Sequence, residues 1–269
     1  MPDFVGSTLP WKFLAIGFGV LCLRYVAVAG LAALTFYTWR RERHIETKIQ
    51  PRWPRAADYQ REIGYSLLTF AVFTTTGFAV LNGPLQPYHH LYHDVSEYGW
   101  TWFIVSIPLV LVLHDTWFYW AHRLMHHRLL YRRVHLVHHR SINPTPWASF
   151  AFHPLEAVVE AGGILFQAFL LPLHPGTLAI AMLIMTLYNV YGHLGWELYP
   201  RGFAAHSIGR FFNTSVSHNQ HHAQAKNNYA LYFLWWDRWC GTLDPEYEAE
   251  FERVAVRRAE AVGPKSVEV

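Results

Sequence analysis

Three groups of histidines carry the chemistry of this chain: His122-Arg-Leu-Met-His126, His135-Leu-Val-His138-His139 and His218-Asn-Gln-His221-His222. On a helix the first pair is i,i+4 and each triplet is i,i+3,i+4. That spacing predicts one ligand-bearing face per group, with all imidazoles of a group pointing the same way. Imidazole is the commonest side-chain metal ligand, and three such faces offer eight nitrogens, which suits two ions better than one. With 18 histidines in 269 residues, H-x-x-H-H should arise by chance roughly 0.1 times per chain, yet it is present twice beside an H-x-x-x-H. A metal site is therefore expected rather than a run of solvated histidines.

Two chemistries use many imidazoles and few carboxylates. Hydrolytic zinc is one, but its H-E-x-x-H signature, in which glutamate is the general base, is absent from all three boxes. Dioxygen activation by two iron ions is the other, with a lipid entering sideways from the bilayer. Imidazole suits both metals, so ligand type alone does not choose, and zinc would compete for the same sites in purified protein. A membrane metal-binding protein without turnover is a third reading, separated from the second by oxygen consumption coupled to an electron donor.

The elements that must position these boxes are membrane helices. The chain is 52% hydrophobic and 17% aromatic, and its 15% of charged residues is well below the quarter usual in soluble domains. A formal charge of +3 is too small to suggest nucleic acid, and two distant cysteines, Cys22 and Cys240, imply no disulfide framework. Met1 to Pro10 carries Asp3 and no basic residue, a poor start for a cleaved signal peptide. Apolar stretches follow at Phe13–Trp39 (with Arg24 facing other helices or snorkelling), Ser66–Leu81, and Trp100–Trp120, which runs into the first box. Leu155–Leu171 and Thr177–Tyr191 form a hairpin that either crosses or dips partway and returns. The expected fold is an all-α, integral-membrane bundle of four to five membrane segments with a histidine-rich helical cap.

The basic loops 40–55 (Arg40, Arg41, Arg43, Lys48, Arg52, Arg55) and 123–140 (Arg123, Arg128, Arg132, Arg133, Arg140) contrast with loop 82–99, which has no Lys or Arg. By the positive-inside rule the first two are cytoplasmic, so all three boxes and the C-terminus fall on the cytoplasmic side.

Accessory residues follow from position. His193, one turn after Asn189 at the end of the hairpin's return limb, is expected as a ninth ligand. Because ligand imidazoles usually donate their other N–H to a carboxylate or carbonyl, Asp115, two turns before His122, and Asp237 are candidate orienting groups; Glu156 and Glu197 are weaker ones. His153, before Pro154 at a probable helix start, is expected beside the ligands or the substrate entry. His114 reads as a buried, satisfied histidine, His127 as solvated, and His89, His90 and His93 as interfacial loop residues; His44 and His206 lack a spacing partner. Trp117, Tyr119, Trp147, Tyr188 and Trp196 are candidate pocket aromatics or ordinary core and interfacial ones.

Taken together, Asp115-Thr-Trp-Phe-Tyr-Trp-Ala-His122-Arg-Leu-Met-His126, the two H-x-x-H-H boxes, Phe152-His153-Pro154-Leu155-Glu156, and Asn227-Asn-Tyr229 leading to Trp236-Asp237-Arg238-Trp-Cys-Gly241-Thr242 resemble the fatty acid hydroxylase superfamily, in particular its sterol desaturase-like branch. The resemblance covers residues 98–245, between an N-terminal transmembrane region (1–97) and a charged tail (246–269). It implies a non-haem di-iron enzyme that hydroxylates or desaturates a lipid with O2 and two electrons, the eight box histidines being ligands and His193 matching the family's additional histidine. Asn189 stands where fatty acid 2-hydroxylases carry a further histidine, which moves the chain away from that branch. His174-Pro175-Gly176 is a lone turn rather than part of a fused haem domain, so electrons are expected from a separate reductase and carrier.

Overall fold

The computed structural model describes residues 9–39, 45 and 47–262. The start expected to lack a signal peptide (1–8), Arg40–Arg43 and His44 of the first basic loop, and the end of the charged tail (263–269) lie outside the described residues. Among those described, all extended regular structure is helical, with only two isolated bridges, Leu91–Leu173 and Phe212–Phe233.

Helix α1 (Leu9–Ala33) is apolar apart from Lys12 and Arg24 and continues as a π-helical turn, Leu34–Trp39. It leaves Ile16, Leu23 and Leu31 exposed, which is the pattern of a helix solvated by hydrocarbon. Helix α2 (Ala56–Asn82) begins well before the apolar run at Ser66, because its first turn is polar: Asp58 accepts the Arg55 N–H at 3.0 Å and pairs with Arg61 at 2.7 Å. Helix α3 (Gly99–Met125) carries His122 in its last turn, so the first box grows directly out of a membrane span. Two short turns follow, α4 (Tyr131–Val134) and α5 (Leu136–His139), and the break between them falls at His135.

The hairpin is built from α6 (Pro154–Leu165), α7 (Gln167–Leu170) and α8 (Pro175–Gly192). Proline at the first position and a histidine cap start both long limbs: His153 Nδ1 accepts the Leu155 N–H, and His174 Nδ1 the Gly176 N–H. The first limb, 12 residues in α6, is about 18 Å long and cannot span alone. Yet the hairpin tip reaches the loop joining α2 to α3: the His90 N–H bonds Ala168 O, the Tyr92 N–H bonds Leu173 O, and His174 bonds His93 O. The limb therefore reaches that depth in pieces, with its irregular backbone packed against protein rather than lipid. Among the described residues four helices are long and apolar enough to cross a membrane: Trp11–Trp39, Ala56–Asn82, Gly99–Met125 and Pro175–Gly192. The chain is an integral membrane protein.

The polar end is closed by α9 (Ser215–Gln224), α10 (Trp235–Trp239) and α11 (Tyr247–Val262). Thr214 caps α9 by accepting the Ser217 N–H. Helix α11 presents Tyr247, Phe251, Val254 and Ala255 as one buried stripe against Ile49, Val216 and Leu234. The segment after the second box is tied to α2 through buried Glu62, which accepts hydrogen bonds from Ser141 and Thr145. Gln50 donates to Asn219 at 2.9 Å and so docks α9 on the first loop.

Candidate metal centre

Nine imidazoles meet where α3 and α8 end, in two groups. His122, His126, His135, His139 and His221 form one; His138, His193, His218 and His222 form the other; within each, the ligating atoms all lie within 4.8 Å of one another. The grouping cuts across the boxes, which corrects the expectation that each box points all its imidazoles one way. His138 leaves His135 and His139 for the second group, and His221 leaves His218 and His222 for the first. Positions i and i+4 differ by about 40° around a helix, whereas consecutive residues differ by about 100°. Adjacent histidines such as His138 and His139 therefore aim at different points.

The hydrogen bonds behind the rings decide what faces inward. Nδ1 donates to Tyr229 O from His122 (2.8 Å), to Ala225 O from His126 (3.0 Å), to Asn227 O from His221 (2.6 Å) and to Asn189 O from His193 (2.7 Å). A carbonyl only accepts, so Nδ1 keeps the proton and Nε2 is a bare lone pair. His135 donates likewise to Glu156 at 2.7 Å. Nδ1 of His138, His139 and His222 has no partner among the described residues.

The Nε2 atoms nevertheless face one another at 2.9 Å (His122–His135), 3.0 Å (His139–His221) and 3.1 Å (His193–His218 and His193–His222). Burial, and then the neighbouring imidazoles, hold His135, His138 and His218 well below the usual histidine range, and burial pushes His221 down to about 4. The rings are neutral. Converging lone pairs repel unless a cation lies between them. Ligands about 2.1 Å from a metal and roughly 90–109° apart are separated by about 3.0–3.4 Å, which is the spacing seen. The donor set fits two metal ions.

Beside this layer lies an apolar cavity of about 220 Å³ between α1, α2, α3, α6 and α8. Phe118, Phe150 and Phe152 line it, and two of them also cover the histidines: Phe118 packs on His122 (ring centroids 5.0 Å) and Phe152 on His138 (5.1 Å). None of the five aromatics singled out from the sequence lines it. Trp117 bonds Val159 O, Tyr119 meets Thr242, Tyr188 bonds Asn213 O, Trp147 packs on Tyr25, and Trp196 packs against Tyr37.

The fatty acid hydroxylase family model matches residues 107–242, half of the chain and all nine histidines. The chain belongs to the fatty acid hydroxylase family. Its relatives include a Delta(7)-sterol 5(6)-desaturase of Gibberella zeae, 30% identical over 240 residues (87% of this chain, 70% of the relative). A second such desaturase, from Aspergillus fumigatus, is 34% identical over 183 residues (59% and 57%). Human lathosterol oxidase is 31% identical over 186 residues (68% and 60%). The chain thus spans between 57% and 70% of the length of these relatives. No solved structure matches it.

In this member of the fatty acid hydroxylase family the carboxylates expected to orient imidazoles do something else. Asp115 accepts the Tyr232 and Phe233 N–H groups, and Asp237 those of Tyr229 and Ala230. Both touch backbone rather than a histidine, and Arg238 turns away to Arg210 O and Glu248. Asn189 meets His193 through its carbonyl while its amide donates to Ser149 O. His153 caps α6, and Glu197 accepts from Tyr191, Tyr199 and Val216. Among the described residues, Glu156 alone puts a carboxylate on a clustered histidine. The backbone carbonyls that hold four rings have no side-chain signature and were not legible. Glu160, a second carboxyl one turn beyond Glu156 in an apolar helix, has a signal that the histidine spacing leaves unused.

Proposed function

We propose that the chain is an O2-dependent di-iron membrane oxidoreductase that desaturates or hydroxylates a sterol-like or related lipid, with residues 98–245 as its catalytic domain. One ion is held by His122, His126, His135, His139 and His221, the other by His138, His193, His218 and His222. The observation that carries this reading is the pair of buried imidazole groups, lone pairs inward, against an apolar cavity at membrane depth. The relatives' names, a desaturase and an oxidase, favour iron over zinc.

When bound, reduced iron supplies dioxygen activation and oxidation of an unactivated C–H bond. The protein supplies everything else. Carbonyls of Ala225, Asn227, Tyr229 and Asn189 keep the protons on Nδ1, and Glu156 does so for His135. Asp115 and Asp237 fix the 229–233 segment that carries one of those carbonyls. Phe118 and Phe152 shield the histidine layer, and the cavity takes the apolar body of the substrate. Hydroxylation inserts one oxygen atom, and with two electrons and two protons the other leaves as water. Desaturation removes two hydrogens from adjacent carbons, and with the same two electrons and two protons both oxygen atoms leave as water.

The electrons come from a separate carrier and reductase. Exposed Arg123, Arg128, Arg132 and Arg133, beside the first two boxes, support docking of an acidic carrier on the cytoplasmic side. The test is metal content of detergent-purified protein and of His138→Ala and His221→Ala, with oxygen uptake on a Delta(7)-sterol and a chemical or enzymatic reductant. Near two irons per chain, falling sharply in both variants, with sterol-dependent oxygen uptake, is the expected result. Activity without oxygen or reductant would establish a zinc hydrolase instead, and metal unchanged in both variants would sink the site.

A further inference from the structure

The cavity wall is apolar except where Glu160, His114 and Asn189 enter it. Asn189 is anchored, its side-chain NH2 donating to Ser149 O and its backbone carbonyl accepting from His193. Glu160 is not. It is 8% exposed, lines the cavity, and has neither a hydrogen bond nor a cation among the described residues. A carboxylate there would be a bare charge in apolar surroundings, a costly state. The group is a neutral acid with one O–H donor and a free carbonyl acceptor.

His114 lies on the same cavity. Its Nδ1 is taken by the Tyr232 hydroxyl at 2.9 Å, which itself lies within electrostatic reach of Glu160. The other edge of the ring rests on Gly163, where a Cβ would come within 2.8 Å of Cδ2 and 3.2 Å of Nε2. The chain thus gives up a side chain at 163 to seat an imidazole beside the cavity, next to an unpartnered acid one turn away on the same helix. Nothing in the handling of iron or oxygen uses either group.

We propose that Glu160, seated with His114 in the wall of this cavity, binds the hydroxyl group of a monohydroxy lipid and thereby fixes which carbon faces the histidines. This rests on the lipid-oxidising reading above and narrows its substrate class to lipids with one hydroxyl near the oxidised carbon. Glu160 is four residues beyond Glu156, whose carboxylate touches His135, hence about 6 Å deeper along α6. A hydroxyl held there leaves the carbons a few bonds away at the level of the histidine layer. Free hydroxyls donate and accept at once, which a neutral carboxyl matches. A bare hydrocarbon would leave the acid unpaired, and an anionic headgroup would meet no cation.

The experiment uses the full chain in nanodiscs, with binding and initial rates measured for a Delta(7)-sterol and for the same sterol lacking its hydroxyl. Wild type should prefer the hydroxylated form by on the order of 10-fold, about one hydrogen bond. Glu160→Leu should abolish that preference by weakening the hydroxylated sterol alone, raising its KM more than it lowers kcat. Glu160→Gln, which keeps a donor and an acceptor, should retain most of the preference. Equal affinity of wild type for both sterols, or equal loss of both in Glu160→Leu with Glu160→Gln no better, overturns the role of Glu160 and leaves the sterol reading standing. Failure of wild type to bind or oxidise either sterol overturns the sterol reading, and this assignment with it.

Discussion

Glu156 accepts a 2.7 Å hydrogen bond from Nδ1 of His135, and both side chains are almost wholly buried. It is the one hydrogen bond between a carboxylate and a clustered histidine among the described residues, and it crosses from α6 to the break between α4 and α5. The remaining orienting groups are backbone carbonyls, which carry no net charge.

Replacing Glu156 by Gln should keep the shape and remove the charge. Loss of such an outer partner typically costs about 10–100-fold in metal affinity. Competition with a chelator should show weaker retention of metal in Glu156→Gln, with the helical circular dichroism unchanged. Unaltered retention would mean that the carboxylate only fills space.

Asp237→Ala should act through the backbone. It strands the buried N–H groups of Tyr229 and Ala230, each worth about 1–3 kcal/mol when left unpaired. It also frees the carbonyl that holds His122. The expected outcome is a lower melting temperature together with reduced metal content. A loss of activity with melting and metal both unchanged would instead place Asp237 in the chemistry.

Two glycines make a matched pair. A Cβ at Gly163 would sit 2.7 Å from Trp117 Cδ1 and 2.8 Å from His114 Cδ2, so Gly163→Ala should destabilise by about 1–3 kcal/mol. Gly64, exposed within α2, has nothing within 4 Å of the same position, and Gly64→Ala should stabilise by about 0.5–1 kcal/mol. Thermal unfolding in detergent checks both signs.

Lys48 sets a pH dependence. It is fully buried, donates to Asn143 Oδ1 at 2.8 Å and lies over the Trp196 ring; burial, then Arg52, pushes its ammonium down to about 7 from an ordinary 10.5. Between those values the unfolded chain binds the extra proton, so this group's contribution makes stability rise with pH from about 7 to 10.5. Lys48→Met should therefore gain most over wild type at or below pH 7, and the gain should shrink towards pH 10. Melting curves at pH 6.5 and 9.5 test this; a gain that grows with pH is the contrary result.

The membrane spans, the hairpin and the nine histidines were legible because hydropathy and helical spacing are local properties. The sorting of those histidines was not, since it depends on the 100° step between His138 and His139 and between His221 and His222, and on where three helices converge. Asp115 looked like an imidazole partner because it shares a face with His122. The backbone of 232–233 competes for it, and a loop that must cross a buried surface needs acceptors for its N–H groups. The large aromatics drew attention over Phe118 and Phe152, yet a polar edge on Trp or Tyr must find a partner and so tends to be spent in the scaffold.

The exchange of His138 and His221 between the two groups makes the centre an interlocked object. The second and third boxes each contribute to both groups, so neither group can close until α5 and α9 have docked on each other, and an ion entering one site would set the ring orientations of the other. Loading should be cooperative, with empty and doubly filled chains dominating a titration over singly filled ones. A single substitution in either box then disturbs the neighbour's ion as well as its own, and a chelator strips the pair as a unit.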